Sequence, residues 1–511
     1  MAEEAVKSWA KRRWDFLFLG FVLVLSLVLM LRSYNHILSF DEAWNAVTVS
    51  ASVAGKTSDI FFFNFYRHPP LYLGLSIIYA HLAGDGVSFM KLISMLSGLG
   101  TIIVLFFTLK NSLGKRAASF GSFLLATMPV FLIFSTWVKQ DALALFLASL
   151  FIYFFLKERY ECAGIFLGLA LLTKEIAIFA LLGAGAYCLL NYSGKKIAGF
   201  FRSTLIGFLV CFWWFLFFSK TVGEFTKFFL GTSPVNAMFK RPWSYYIVRL
   251  PADFSYGTVL LVILGCAFLI KKSHNRESSV NELVLLAALW AFLEIAILTL
   301  SAGKPLWMIH SASFPLAILG GFGFDRLYSV LSSRRTVFFV LAVFFIFICL
   351  LQGFALNHNS YMEKSKSWGD TFEDWNIAQK LNLLMSKNSI LLMSIDDLSP
   401  NLMYYLKTYK PDSIIELPVS DKDGNILTSA PFGRVSGKNI YLIDGDFPVG
   451  LVLSYVSKIR PDWVMVKERA DGTLSTGIAR ALSKLAPSKR VERALIFRGS
   501  DLEPKRVKCE P

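Results

Sequence analysis

The sequence predicts an all-α polytopic membrane domain over residues 1–356, followed by a small α/β domain over residues 357–511. The chain has 511 residues, of which 55% are apolar and 48 are Phe, more Phe than a soluble protein of this length is expected to carry. Many apolar runs in its first part approach 20 residues, the length that crosses a bilayer as a helix. After residue 356 the runs become short and alternate between strand-like and helix-like patterns, which is typical of an α/β domain.

The net charge of +16 is concentrated in the membrane part. Residues 1–356 contain 30 Lys and Arg against 17 acidic residues, whereas residues 357–511 contain 22 against 19. This basic excess follows the positive-inside rule of membrane proteins. No basic run is interleaved with aromatic residues, so nucleic acid is excluded as a partner. The six cysteines include no CxxC pair, so neither disulfides nor a cysteine metal site are expected.

About eleven membrane spans are predicted, with the N-terminus in the cytoplasm and the C-terminal domain outside a plasma membrane. The N-terminal basic residues precede a retained first helix, and every predicted inner loop is basic. The spans are expected at 14–33, 90–109, 117–137, 141–157, 163–173, 176–190, 199–219, 256–270, 280–301, 307–325 and 336–356. External loops are expected at 34–89 and at about 220–255.

The segment 69–84 is predicted to lie on the outer membrane surface. Its apolar part is about 14 residues long and contains His81, which is short for a span. If it crossed the membrane, the basic loop Lys110–Arg116 would lie outside. Residues 34–89 are therefore interpreted as one large external loop whose amphipathic helices rest on membrane lipids.

The acidic pair Asp41-Glu42 follows the first span, within Phe40-Asp41-Glu42-Ala43-Trp44. A carboxylate at this position can take a proton from an acceptor as a general base, or ligate a divalent cation with a second carboxylate. A solvated loop and an N-cap for a helix from 43 to about 54 are the structural alternatives.

Further polar residues collect in the predicted external loops. Arg67 and His68 precede Pro69-Pro70, which can open a helix whose N-terminus favours an anion, or form a plain proline turn. Lys174 can bind a phosphate or pair with Glu175 or another carboxylate. Asp141 can be an N-cap or a partner for a substrate cation or a sugar hydroxyl. Weaker candidates are Lys304 and His310, since a buried His more often makes an interhelical hydrogen bond.

The C-terminal part is predicted to form a mainly parallel sheet. Strands are expected at 390–395, 414–418, 440–443, 463–466 and 494–497, and helices at 371–388, 400–409, 448–459 and 475–486. The pair Asp396-Asp397 is interpreted as a turn rather than a metal site. No nucleotide or zinc-protease motif is present in the sequence.

Taken in order, the motifs FDEAW, HPPLY, VKQDALALF and GLALLTKE resemble the polyprenyl-phosphate-dependent glycosyltransferases of the GT-C superfamily. The protein O-mannosyltransferases and the lipid A aminoarabinose transferases are the most similar families. The segment from Gly303-Lys304-Pro305 to Gly320 also resembles their later membrane segment.

This resemblance implies a GT-C fold and an inverting transfer of one sugar from a dolichyl or undecaprenyl phosphate. It implies that Asp41 is the general base and that Glu42 supports it or binds the acceptor. Arg67, His68 and Lys174 would bind the donor phosphate. The remaining members of the implied substrate cavity are Asp141, Glu175, Lys304 and His310.

The acceptor and the metal requirement stay open. There is no MIR-type insertion and no WWDYG-like motif, which argues against a protein acceptor. The candidate acceptors are a lipid, a glycan or a protein. No cofactor is assigned and no metal ligands are predicted, although the acidic pair leaves room for a divalent cation. The rival hypotheses are a transporter or lipid flippase that uses the same external charges, and a scaffold that acts through residues 357–511.

Overall fold

We describe residues 2–53, 69–84, 86–191, 193–217, 227, 240–274, 282–356 and 371–384, and eight strands within 390–498, in a computed structural model of the chain. The chain forms two compact units. One comprises Met1–His36, Phe63–Tyr79 and Val87–Ser367; the other comprises Ile37–Phe62, Ala80–Gly86 and Trp368–Pro511. Two parts of the predicted first external loop therefore group with the C-terminal residues.

The described part of the chain before residue 357 is helical. Its helices are α1 (Ala2–Ser33), α2 (Phe40–Val53), α3 (Leu71–Ala83), α4 (Gly86–Ser112), α5 (Lys115–Thr127), α6 (Pro129–Phe134), α7 (Asp141–Leu156), α8 (Tyr160–Leu171), α9 (Ile178–Asn191), α10 (Gly194–Phe217), α11 (Tyr245–Phe254), α12 (Tyr256–His274), α13 (Glu282–Leu300), α14 (Ser313–Val330) and α15 (Arg335–Ala355). Short 3₁₀ helices at Glu175–Ala177 and Leu306–Ala312 lead into α9 and α14. Every predicted span contains a helix.

Six helical segments within the described residues are long and apolar enough to cross a membrane, or seven if the bent pair α11–α12 is one span. They are Trp14–Ser33, Gly86–Ser112, Gly194–Leu216, Glu282–Leu300, Leu306–Val330 and Arg335–Ala355. The total of about eleven spans stays a prediction, because α7, α8 and α9 are shorter. With 13 residues, α3 is short as well. At about 1.5 Å per residue it extends about 20 Å, less than the hydrocarbon core.

The predicted continuous helix 117–137 is wrong. It is interrupted at Met128, whose φ of −66° and ψ of 123° are extended. The following residue is Pro129, and the ring of a proline disfavours the helical conformation of the residue before it. The chain restarts as α6, ends at Phe134, and turns through 135–140 into α7.

The predicted external loop 220–255 contains a helix, α11, over 245–254. This helix contains Pro251, and it meets α12 at a bend of 113°. The bend lies at Ser255, whose φ is +72°. There the Ser255 hydroxyl donates to Thr258 Oγ1 at 2.9 Å, which stabilises the start of α12.

Small residues let the helices of the first unit approach closely. A Cβ on Gly168 of α8 would lie 2.7 Å from the carbonyl oxygen of Gly207 on α10. A Cβ on Gly321 of α14 would lie 2.8 Å from the carbonyl oxygen of Ala117 on α5. Such close contacts are typical of helices that pack within membranes, where packing rather than water exclusion holds helices together.

The second unit contains α16 (Thr371–Leu384) and the strands β1 (Ile390–Ile395), β2 (Val419–Ser420), β3 (Ile426–Leu427), β4 (Arg434–Val435), β5 (Lys438–Asp444), β6 (Trp463–Lys467), β7 (Ser488–Val491) and β8 (Ala494–Arg498). A six-stranded sheet has the order β4-β5-β1-β6-β8-β7, and β2 pairs with β3. Ala378 and Leu381 of α16 are buried, as their predicted stripe requires.

The sheet is mixed, so the prediction of a mainly parallel sheet is wrong. Only β5-β1 and β1-β6 are parallel; β4-β5, β6-β8 and β8-β7 are antiparallel. The sequence did not indicate β7 because Ser-Lys-Arg-Val lacks an apolar run. The predicted strand 414–418, the pair Asp396-Asp397 and the helices at 400–409, 448–459 and 475–486 lie outside the described residues.

Candidate active site

The predicted site residues divide between the two units. Asp41 and Glu42 belong to the second unit, whereas Asp141, Lys174, Glu175, Lys304 and His310 belong to the first. Arg67 and His68 lie outside the described residues.

Glu42 forms a capping box with Ser39 at the start of α2. The Ser39 backbone N–H donates to Glu42 Oε2 at 2.8 Å, and the Glu42 N–H donates to Ser39 Oγ at 3.3 Å. This reciprocal pair satisfies two amides that a helix N-terminus otherwise leaves unbonded. The helix begins at Phe40, earlier than expected, and Glu42 is buried while Asp41 is half-buried. Asp41 is thus the carboxylate of the pair that stands outside the capping box.

In the first unit, Lys174 and Asp141 form a buried ion pair. Lys174 Nζ lies 2.6 Å from Asp141 Oδ1, with side-chain exposures of 4% and 1%. Asp141 occupies the first turn of α7, where the helix dipole favours a carboxylate. Burial lowers the pKa of the Lys174 ammonium, and the neighbouring Asp141 carboxylate opposes that effect. The sequence left open whether Lys174 pairs with Glu175 or another carboxylate, and the structure pairs it with Asp141.

Backbone hydrogen bonds hold the chain on both sides of this pair. The Leu71 N–H donates to the Leu172 carbonyl at 3.0 Å, so the chain that follows Pro69-Pro70 is attached two residues before Lys174. On the other side, Ser94 Oγ donates to the Trp137 carbonyl at 2.6 Å and fixes the turn before α7. The sequence motifs HPPLY and GLALLTKE therefore meet in space.

A small cavity, with room for about one water molecule, adjoins the ion pair. Its lining combines a carboxylate, an imidazole and a hydroxyl with two indoles and several apolar side chains: Asp141, Ala144, Leu145, Ala148, Ile176, Ala177, Trp290, Trp307, His310 and Ser311. This lining has the composition of small-molecule sites, a few polar groups among apolar side chains, but not their volume.

Buried polar atoms around this cavity have capacity for a ligand. Asp141 Oδ2 and His310 Nε2 have no hydrogen-bond partner among the described residues. Neither amide atom of the buried Gln140 has one there either. Buried polar groups are nearly always hydrogen-bonded, so these atoms are available to water or to a ligand that carries hydroxyl groups.

The other two predicted cavity residues of the first unit are placed differently. Lys304 is buried and donates to the Ser301 carbonyl, and it does not line the cavity. Glu175 is half-buried beside Lys174, in the 3₁₀ helix that also brings Ile176 and Ala177 to the cavity wall.

Two buried charged residues near the cavity were not assigned from the sequence. Lys139 lies with its Nζ 4.0 Å from the centroid of the Trp307 ring. Glu294 is fully buried on α13. The signal for Glu294 was an acidic residue in the middle of a 19-residue apolar helix, since ionisable groups inside membranes are usually functional.

No group of three or more His, Cys, Asp or Glu residues among those that the structure describes is arranged to hold a metal ion.

Residues 67–218 match the family described as dolichyl-phosphate-mannose-protein mannosyltransferase. No curated protein matches the chain. Among solved structures, ArnT from Cupriavidus metallidurans in the apo state has a TM-score of 0.63 and 14% identity, covering 97% of this chain and 99% of that one. ArnT bound to undecaprenyl phosphate gives 0.59 and 16%, covering 96% and 99%.

The archaeal oligosaccharyltransferase AglB from Archaeoglobus fulgidus, in complex with an inhibitory peptide and a dolichol-phosphate, has a TM-score of 0.51 and 13% identity. The match covers 90% of this chain and 70% of that one. These findings confirm the predicted resemblance to GT-C superfamily glycosyltransferases, and together with the apolar helices they identify a multi-pass membrane protein.

Proposed function

We propose that this chain, which has the fold of GT-C glycosyltransferases, transfers a single sugar from a polyprenyl phosphate to a lipid, glycan or protein acceptor. The observation that carries the proposal is the buried Lys174–Asp141 pair beside a cavity with unpartnered polar atoms, inside the region of the family match. The two neighbours whose titles include undecaprenyl phosphate and dolichol-phosphate support a polyprenyl donor.

In the proposed reaction the acceptor oxygen or nitrogen attacks the anomeric carbon of the sugar. The bond from that carbon to the lipid phosphate oxygen breaks, and its electron pair leaves with the phosphate. The acceptor proton passes to the Asp41 carboxylate, and attack opposite the leaving group inverts the anomeric configuration. Lys174, together with Arg67 and His68, would stabilise the negative charge that develops on the phosphate.

Asp141 would have two tasks in this scheme. Its Oδ1 holds the Lys174 ammonium in place, and its unpartnered Oδ2 accepts a hydrogen bond from a sugar hydroxyl. His310, which lines the same cavity, would contact the sugar or the phosphate. Glu175 and Lys304 would act at the margins of the site.

We further propose that the N-terminus is cytoplasmic and the C-terminal domain extracytoplasmic, in a plasma membrane. The basic loops of the sequence support this orientation.

The test is a panel of labelled polyprenyl phosphate sugars offered to membranes that contain the protein. We expect one donor class to be consumed, with release of the polyprenyl phosphate and with inverted anomeric configuration in the product. Membranes with Lys174→Met serve as the control. Equal consumption of the donor by both preparations would contradict the proposed site.

A further inference from the structure

Glu294 lies in a membrane-spanning helix and has no cationic partner among the described residues. It is fully buried on α13, and none of the ion pairs between described residues includes it. An unpaired carboxylate inside a membrane is costly, so its presence calls for compensation by hydrogen-bond donors.

Three donors provide that compensation. Ser311 Oγ donates to Glu294 Oε1 at 2.6 Å, and Trp290 Nε1 donates to Glu294 Oε2 at 2.9 Å. The backbone amide of Ala312 is the third donor. Two of these groups belong to the 3₁₀ turn Leu306–Ala312, and one belongs to α13 itself, so the carboxylate ties the turn to the helix.

The 3₁₀ turn Leu306–Ala312, which Glu294 binds, is the part of the cavity wall that contains His310. Trp307, His310 and Ser311 all belong to it and line the cavity, and Trp290 lines it from α13. A 3₁₀ turn has poorer backbone hydrogen-bond geometry than an α-helix and therefore gains more from an external anchor. Trp290 also packs closely against Gly183 of α9. A Cβ at position 183 would lie 2.6 Å from Trp290 Cβ, so the glycine leaves room for the tryptophan.

We propose that Glu294 is a positioning residue that fixes the turn 306–312, and with it the orientation of His310, for ligand binding in the cavity. It does so through hydrogen bonds and not through its charge. The ligand contact assigned to His310 is with a hydroxyl or phosphate oxygen of the donor, and this part of the inference rests on the proposed function.

If Glu294 acts through hydrogen bonds, two substitutions of it should have different effects. In Glu294→Gln the amide oxygen can accept from Trp290, and the amide nitrogen can donate to Ser311, whose hydroxyl reverses its role. Glu294→Leu removes all three contacts and takes the carboxylate acceptor away from Ser311, Trp290 and the Ala312 amide. Glu282→Gln is the matched control, since it makes the same change at the start of α13, where the side chain pairs with Lys196 instead.

The experiment combines hydrogen–deuterium exchange in nanodiscs with donor kinetics. For Glu294→Leu we expect faster amide exchange confined to 306–312 and a kcat lower by about a hundredfold, the penalty of a displaced active-site group. Glu294→Gln and Glu282→Gln should behave like the unaltered protein in both measurements. Ser311→Ala and Trp290→Phe should each reproduce part of the Glu294→Leu effect, which keeps the test available if Glu294→Leu does not fold.

Unchanged exchange at 306–312 in Glu294→Leu, Ser311→Ala and Trp290→Phe would overturn the proposal. So would a Glu294→Gln variant as impaired as Glu294→Leu, because that result assigns the role to the charge. Loss of protection throughout α13 and α14 in the partial variants indicates general destabilisation and also counts against it. Hydrogen–deuterium exchange can be measured without turnover, so the two proposals can fail separately. If Glu294→Leu speeds exchange at 306–312 but the unaltered protein transfers no sugar, the proposed reaction is refuted and the positioning role of Glu294 still holds.

Discussion

Lys174 Nζ and Asp141 Oδ1 are 2.6 Å apart, although the two residues are 33 positions apart in the chain. The pair joins the end of α8 to the start of α7 in a buried environment. Removing one partner leaves an uncompensated buried charge, which costs more than the pair contributes.

Lys174→Met is therefore expected to destabilise the protein by about 3–5 kcal/mol and to weaken polyprenyl phosphate binding by about tenfold to a hundredfold. Unfolding in detergent and titration with the lipid phosphate measure the two effects. The double variant Asp141→Asn with Lys174→Met should cost less than the sum of the single changes. Lys195→Met is the control, since Lys195 pairs with Glu158 at an exposed position, and a loss as large there would speak against the buried pair.

Asp41→Asn is expected to lower kcat by about 10²–10⁴-fold while leaving donor binding unchanged, because only the proton acceptor is lost. Glu42→Gln is a matched control, since glutamine also completes a capping box. It should retain stability, and its turnover shows whether Glu42 does more than cap α2. Near-normal turnover of Asp41→Asn, measured with the labelled donor, would remove Asp41 as the base.

Gly168→Ala is expected to destabilise the first unit by about 1–3 kcal/mol, as overpacking usually does. The new Cβ would lie 2.5 Å from Val210 Cβ and 2.7 Å from the Gly207 carbonyl oxygen, so α8 must move away from α10. Since α8 leads to Lys174, donor affinity should fall as well. Gly20→Ala on α1 meets nothing within 4 Å and should be neutral or stabilising. Thermal unfolding of both variants checks the contrast, and equal midpoints would contradict it.

Cysteine labelling tests the proposed orientation on one helix. Ser88 and Asn111 are exposed near opposite ends of α4. In a background without the native cysteines, Ser88→Cys should react with an impermeant reagent from outside, whereas Asn111→Cys should react only after permeabilisation. The reverse pattern would place the basic loop at 110–116 outside and invert the proposed topology.

The sequence determined the class of fold and predicted the candidate site residues. Its apolar runs located a helix in each predicted span, because helical hydrophobic length is a local property. The motifs around Asp41, Asp141 and Lys174 indicated the GT-C resemblance that the comparisons confirm. Pro129 also indicates a break between α5 and α6, but the length of the apolar run favoured one continuous helix instead.

Only the tertiary structure decided which of these residues touch. The Lys174–Asp141 bond and the hydrogen bond from Leu71 to Leu172 join segments that are distant in sequence, and the bond from Ser311 to Glu294 joins two consecutive elements. Each depends on how helices cross and on which glycines permit close approach, and neither periodicity nor hydropathy encodes these. Likewise, the mixed sheet depends on strand pairing across long separations, which a local pattern cannot specify.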